Sequence, residues 1–205
     1  TTCIIGGSKI STKLGVITSL INKVDNLIIV GAMANNFIKF RGNKVGKSLV
    51  ESGSEKIIEE IYDKIVNSNC KITIPFDFAV SNSTDGEAVF KDTNEINDNE
   101  IILDIGPQTI DRISEIIDIS KTVLWNGPAG YFENKNFSKG TISLAKKISD
   151  KTNMNSLISI VGGGDTISSI KNNRLNVNFT HLSTAGGAFL EYIEGKNLPG
   201  IEVLK

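Results

Sequence analysis

Short runs of β-branched residues alternate with longer stretches whose apolar residues recur at helical spacing, and few folds tolerate that alternation. The runs are Cys3-Ile4-Ile5, Leu27-Ile28-Ile29-Val30, Lys71-Ile72-Thr73-Ile74, Thr122-Val123-Leu124-Trp125, Leu157 to Val161 and Phe179-Thr180-His181-Leu182. Continuous apolarity over so few residues reads as strands buried on both faces. Between them, Leu14, Ile17, Leu20, Ile21 and Val24, and again Ile57, Ile58, Ile61 and Ile65, repeat with helical periodicity. Strand, helix, strand in repetition predicts one parallel sheet covered by helices. In such open sheets a ligand sits beyond the carboxyl ends of the strands, where the glycine-rich stretches of this chain fall. The polar, acidic segment from Asn82 to Asp98, with Asp85-Gly86 as a turn, is expected to be an exposed excursion such as a small hairpin.

The most informative of those stretches is Gly162-Gly163-Gly164-Asp165-Thr166, which follows a strand and opens a helix. Glycines let backbone approach a bulky anion, and a helix N-terminus directs free N–H groups at it. Asp165 adds a carboxylate suited to a divalent cation, so the turn fits a magnesium-bound nucleoside phosphate, although glycine clusters after strands also form plain tight turns. The first strand ends in Gly6-Gly7-Ser8-Lys9, with Lys13 following. If Ile10 onward is helical, Lys9 and Lys13 share a face beside the glycine turn and can neutralise a polyphosphate. Trp125-Asn126-Gly127-Pro128 follows the fourth strand, and Glu133 beyond it is placed to accept hydrogen bonds from ribose hydroxyls. Ser183 to Ala188 offers a further small-residue start to a helix.

At 205 residues the chain is large enough for one compact domain with a proper core. A formal net charge of −1 gives no global attraction to nucleic acid or to an acidic membrane, so an anion must be caught by local geometry. Cys3 and Cys70 lack metal-type or disulfide spacing and read as small buried hydrophobes in a reducing, cytoplasmic setting. No apolar run approaches the ~20 residues that span a bilayer. Gly46-Lys47-Ser48 copies the end of a phosphate-loop motif, but Arg41 stands where its first glycine belongs, and the stretch follows a helix rather than a strand. His181, the single histidine, has no Ser or Cys partner and is expected in the core or at a sheet end. The absence of an initial Met, with Thr1-Thr2 leading directly into a strand, suggests a fragment.

Taken together, Gly6-Gly7-Ser8-Lys9 with Lys13, Gly31-Ala32-Met33-Ala34, Ile74-Pro75-Phe76-Asp77, Asp104-Ile105-Gly106-Pro107, Trp125-Asn126-Gly127-Pro128 with Phe132-Glu133, Gly162 to Thr166, Ser183 to Ala188, and Leu190-Glu191 with Glu194-Gly195-Lys196 and Leu198-Pro199-Gly200 resemble the phosphoglycerate kinase family in order and spacing. The resemblance covers essentially the whole chain and points to the C-terminal, nucleotide-binding half of that kinase as residues 1–205. It implies an α/β, doubly wound, Rossmann-like domain with helices on both faces of a parallel sheet, binding ADP or ATP with Mg2+. The family moves a phosphoryl group between 1,3-bisphosphoglycerate and ADP, giving 3-phosphoglycerate, and its full-length members are expected to be monomers. Carried over residue by residue, Lys13 matches the lysine that grips nucleotide phosphates, and Lys9 one in the same active-site loop beside Gly7 and Ser8. Asp165 matches the magnesium-binding aspartate, with Gly163, Gly164 and Thr166 as phosphate contacts. Glu133 matches the ribose ligand, Asn126 and Pro128 line the cleft, and Gly186 and Gly187 match the glycines facing the phosphoryl in flight. Lys9, Gly164 and Gly187 form the expected catalytic group.

Ser8, Val30, Ala32 and Ala185 depart from the commonest family pattern. A Cβ at Ala32 or Ala185 narrows the approach of a nucleotide, so these departures bear on affinity. The family's N-terminal half, with its basic patch for phosphoglycerate, has no counterpart in these residues, so nucleotide binding with little or no turnover is expected. Two other readings remain: a stand-alone nucleotide-binding module, and a dinucleotide oxidoreductase. The second lacks a G-x-G-x-x-G after its first strand.

Overall fold

The computed structural model describes residues 1–204. In chain order the elements are β1 (Thr2–Ile5), a 3-10 turn (Ser11–Lys13) running into α1 (Leu14–Leu20), β2 (Asn26–Ile29), α2 (Ala34–Phe40), α3 (Glu55–Val66), β3 (Lys71–Thr73), β4 (Asp77–Ser81), β5 (Val89–Asp92), β6 (Ile101–Ile105), α4 (Pro107–Ile119), β7 (Thr122–Asn126), α5 (Lys139–Asn153), β8 (Ile158–Gly162), α6 (Gly164–Asn172), β9 (His181–Ser183), α7 (Gly186–Ile193) and α8 (Pro199–Glu202). Six strands form one parallel sheet in the order β3-β2-β1-β7-β8-β9. The chain works outward from β1 to β3, then returns to the middle at β7 and works outward the other way. This doubly wound order puts its reversal between β1 and β7, where Ile5 pairs with Asn126.

Alternation along the strands explains why both faces need helices. Cys3 and Ile5 point to one side and pack with α1, α2 and α3 through Val16, Ile17, Phe37, Ile58 and Ile61. Ile4 points to the other side, where Val123, Trp125 and Val161 meet Ile113, Ile117, Leu144 and Ile148 of α4 and α5. A one-residue slip would exchange the two sets, so register is tightly fixed. Burial falls away at the edges. His181 and Leu182 in β9 are exposed, so the lone histidine sits at the sheet end and not in the core.

The segment between β3 and α4 builds a second sheet, antiparallel, in the order β5-β4-β6. The segment from Asn82 to Asp98 is largely exposed, as expected, and forms a hairpin in which its β5 pairs with β4 just before it; its turn is tied to the loop after β7. Asn134 and Asn136 donate from their side-chain amides to the carbonyls of Thr84 and Gly86, at 2.8 and 3.0 Å. Asp77, which is buried, accepts from the N–H groups of Gln108 and Thr109 and so satisfies the start of α4 from outside the helix. Both cysteines are buried and free. Among the described residues no helix is long and apolar enough to cross a membrane.

Candidate functional site

Four glycine-bearing turns converge at the carboxyl ends of β1, β7, β8 and β9. Their closeness rests on missing side chains. A Cβ on Gly6 would run into the carbonyls of Pro128 and Gly127, and one on Gly127 into the backbone of Gly6. Gly163 adopts φ 104°, a left-handed conformation that favours glycine, and a Cβ there would also meet the Asn126 amide at 2.8 Å. The turns are then tied by side chains. The Thr166 hydroxyl accepts from Gly127 N–H at 2.7 Å and donates to the Gly162 carbonyl at 2.9 Å. Asn126 Nδ2 donates to the same Gly162 carbonyl at 2.9 Å, while its Oδ1 accepts from Lys13 Nζ at 2.8 Å.

Two adjoining cavities result. The smaller, about 320 Å³, is lined by Lys9, Thr12, Lys13, Asn126, Gly163, Gly164, Thr166, Gly186 and Gly187. α6 and α7 both start at this cavity and neither start carries a side-chain cap, so their first N–H groups remain available to an anion. At Gly164 and Gly187 a Cβ would meet nothing within 4 Å, so packing within the chain does not require glycine at either position. Burial pushes the Lys13 amine below its ordinary range, and the Asp165 carboxylate pulls it back. The larger cavity, about 520 Å³, is mostly aliphatic and aromatic: Leu49, Pro75, Phe78, Ile102, Leu103 and Tyr131 line it, with Glu133 among its few charged groups. Gly7, Ser8, Pro128 and Asp165 border both, so the two form one cleft with an apolar end and a cationic end.

The expected site residues Gly7, Ser8, Lys9, Lys13, Asn126, Pro128, Glu133, Gly163, Gly164, Asp165, Thr166, Gly186 and Gly187 all border one or other cavity, although one route differs. Lys9 lies in the turn before the helix rather than on a helical face shared with Lys13, because helical structure begins only at Ser11. Both lysines reach the smaller cavity all the same. The aliphatic walls of the larger cavity are not legible in the sequence. Leu103, Ile102 and Thr84 belong to the second sheet and its hairpin, and aliphatic wall residues carry no motif. The Glu133 loop is fixed to that sheet by Tyr131 N–H donating to the Leu103 carbonyl at 2.6 Å. Gly46-Lys47-Ser48 forms no phosphate loop: the Ser48 hydroxyl accepts from Ile102 N–H at 2.8 Å, while Lys47 borders the larger cavity. Among the described residues no group of three or more His, Cys, Asp or Glu could hold a metal, and Asp165 is a carboxylate bordering both cavities.

Comparison with known proteins agrees over the whole chain. The sequence model of the family "Phosphoglycerate kinase" matches residues 1–196. A phosphoglycerate kinase of Orientia tsutsugamushi (strain Boryong) is 47% identical over 206 residues, covering 99% of this chain and 51% of the relative. That of Wolbachia pipientis wMel is 45% identical, with 100% and 52% covered. The solved structure of phosphoglycerate kinase from Coxiella burnetii superposes with a TM-score of 0.92 at 38% identity, covering 99% of this chain and 52% of that one. The chain therefore belongs to the phosphoglycerate kinase family, and it spans about half the length of the relatives it matches.

Proposed function

We propose that this member of the phosphoglycerate kinase family is the C-terminal, nucleotide-binding half of such an enzyme and binds ADP or ATP in the cleft between β1 and β7. The observation that carries the reading is the pairing of two cavities through shared walls, one largely apolar and roomy enough for a purine and its ribose, the other lined by two lysines and two uncapped helix starts. The base occupies the larger cavity, Glu133 accepts from the ribose, and Asn126 and Pro128 form the floor between base and phosphates. Lys13 grips phosphate oxygens, and the amides around Gly163, Gly164 and Thr166 hold the remainder. Lys9, Gly164 and Gly187 face the phosphoryl group that moves, with Gly186 beside them.

Mg2+ fits this donor set. A small hard cation keeps much of its water and takes one or two protein carboxylates together with phosphate oxygens, and Asp165 borders both cavities to supply one. When bound it neutralises charge on the phosphates; the chain's own part is to hold that carboxylate beside the lysines.

In the whole protein the partner substrate is 1,3-bisphosphoglycerate or 3-phosphoglycerate, held by the other half, and the setting is the cytoplasm, with a monomeric enzyme. Phosphoryl transfer depends on positioning and charge stabilisation, so residues 1–205 tested by themselves, matching one half of such enzymes, are expected to bind nucleotide without turning over. Calorimetric titration with Mg-ADP, run beside a coupled kinase assay on the same preparation, tests both parts. Saturable one-site binding with no rate above background is expected. Absence of binding overturns the site, and robust turnover overturns the division of labour.

A further inference from the structure

The lysine-bearing segment is held by something outside the cleft. The 3-10 turn at Ser11–Lys13 and the helix α1 that follows have no side-chain cap and no acidic residue in their first turns. A helix start left so needs an acceptor and favours an anion. Glu51 provides both from the loop between α2 and α3, accepting from Ser11 N–H through Oε2 at 3.1 Å. Chiefly the Ser11 side chain, then the Ser11 and Ile10 amides and the Lys9 charge, hold the Glu51 carboxyl below the usual carboxylate range, against an opposing effect of burial.

Glu51 is itself fixed from behind. Its N–H donates to Asn36 Oδ1 at 2.7 Å. Asn36 is 2% exposed and also accepts from the Ser54 hydroxyl, at 3.1 Å, while its Nδ2 donates to the Met33 carbonyl at 3.1 Å. Met33 N–H in turn donates to the Gly7 carbonyl at 2.9 Å, which closes the circuit onto the glycine turn of the cleft. One position earlier, Asn35 Nδ2 holds the Leu49 carbonyl at 3.1 Å, and Leu49 lines the larger cavity. Glu51 lines neither cavity.

We infer that Glu51 is a positioning residue, which caps the segment from Ser11 onward and so aims Lys9 and Lys13 into the phosphate end of the cleft. The inference rests on the nucleotide reading of that cleft. It separates the two ends: removing Glu51 loosens the lysines and leaves the apolar cavity as it was.

The test titrates Mg-ADP and adenosine into the wild-type chain and into Glu51→Ala, Glu51→Gln and Glu51→Asp. Glu51→Ala is expected to lose about five- to tenfold in Mg-ADP affinity, the scale of one ordinary net hydrogen bond at an exposed site, with adenosine affinity unchanged. Glu51→Gln keeps an oxygen that can accept from Ser11 N–H and recovers most of the affinity. Glu51→Asp keeps the charge one methylene short of its partner and falls between, which reads the effect even if the alanine variant fails to fold. Equal Mg-ADP affinity in the wild type, alanine and aspartate variants overturns the inference, as does a parallel loss of ADP and adenosine. A wild-type chain that binds no Mg-ADP overturns the nucleotide reading and takes this inference with it; wild-type binding with indifferent variants overturns the inference alone.

Discussion

Asn126 is 2% exposed, and both ends of its amide are engaged: Oδ1 with the Lys13 ammonium, Nδ2 with the Gly162 carbonyl. Its local pattern is that of an Asn-Gly-Pro turn, and the family resemblance adds only a place in the lining of the cleft. Its second task, joining β7 to the turn after β8 while orienting a lysine from the β1 side, exists only once those strands are neighbours. Replacing it by Ala leaves a half-buried ammonium and a carbonyl with one partner fewer. Asn126→Ala should cost about 1–3 kcal/mol in urea unfolding and weaken Mg-ADP binding as well. Asp104 makes a different prediction. Burial pushes its carboxyl from 3.8 up to about 7, against the N–H groups of Gly140 and Ile105, which donate to it at 2.7 and 2.9 Å. The folded chain thus holds this proton more tightly than the unfolded chain does. That contribution to stability is complete below pH ~4 and is lost as pH rises through about 7. The urea midpoint should fall between pH 5 and pH 8, and Asp104→Asn should flatten that slope.

At the scale of elements, the glycine turns divide into two kinds that the sequence does not distinguish. Gly6 is required by the fold, because a Cβ there meets the carbonyls of Pro128 and Gly127, which cannot rotate away. Gly6→Ala should cost about 3 kcal/mol by crowding. At Gly187, in the first turn of α7, a Cβ would meet nothing within 4 Å. Gly187→Ala should leave the melting temperature unchanged or raise stability by up to about 1 kcal/mol, while weakening Mg-ADP, since only a ligand would be crowded. A lowered melting temperature would assign that glycine to the fold instead. The start of α1 shows a related limit of local pattern. Periodicity from Leu14 to Leu20 is legible, but where the helix begins depends on Glu51, 40 residues beyond Ser11 in the chain.

For the whole molecule, the cleft exists because the strand order reverses between the parallel neighbours β1 and β7, so that the turns after them part to either side. If the cleft takes Mg-ADP as proposed, the ligand recognises only the assembled arrangement, so at about 100 times its dissociation constant it should add about 2.7 kcal/mol to stability. For a chain of this size that is a rise of roughly 5–10 °C in thermal unfolding, with Mg2+ alone giving none. By itself the sequence determined the parallel, helix-covered sheet, since short, largely apolar runs must be buried on both faces, and it determined the chemistry of the cationic end, since glycines, lysines and a carboxylate carry their properties locally. Only the tertiary structure decided the apolar end and the supports. Leu103, Thr84 and Leu49 become walls of one cavity, and Glu51 becomes a cap for a remote helix, because packing brings together segments far apart in the chain. Aliphatic walls and carboxylates on loops are alike everywhere in a sequence, and their roles follow from what folding places opposite them.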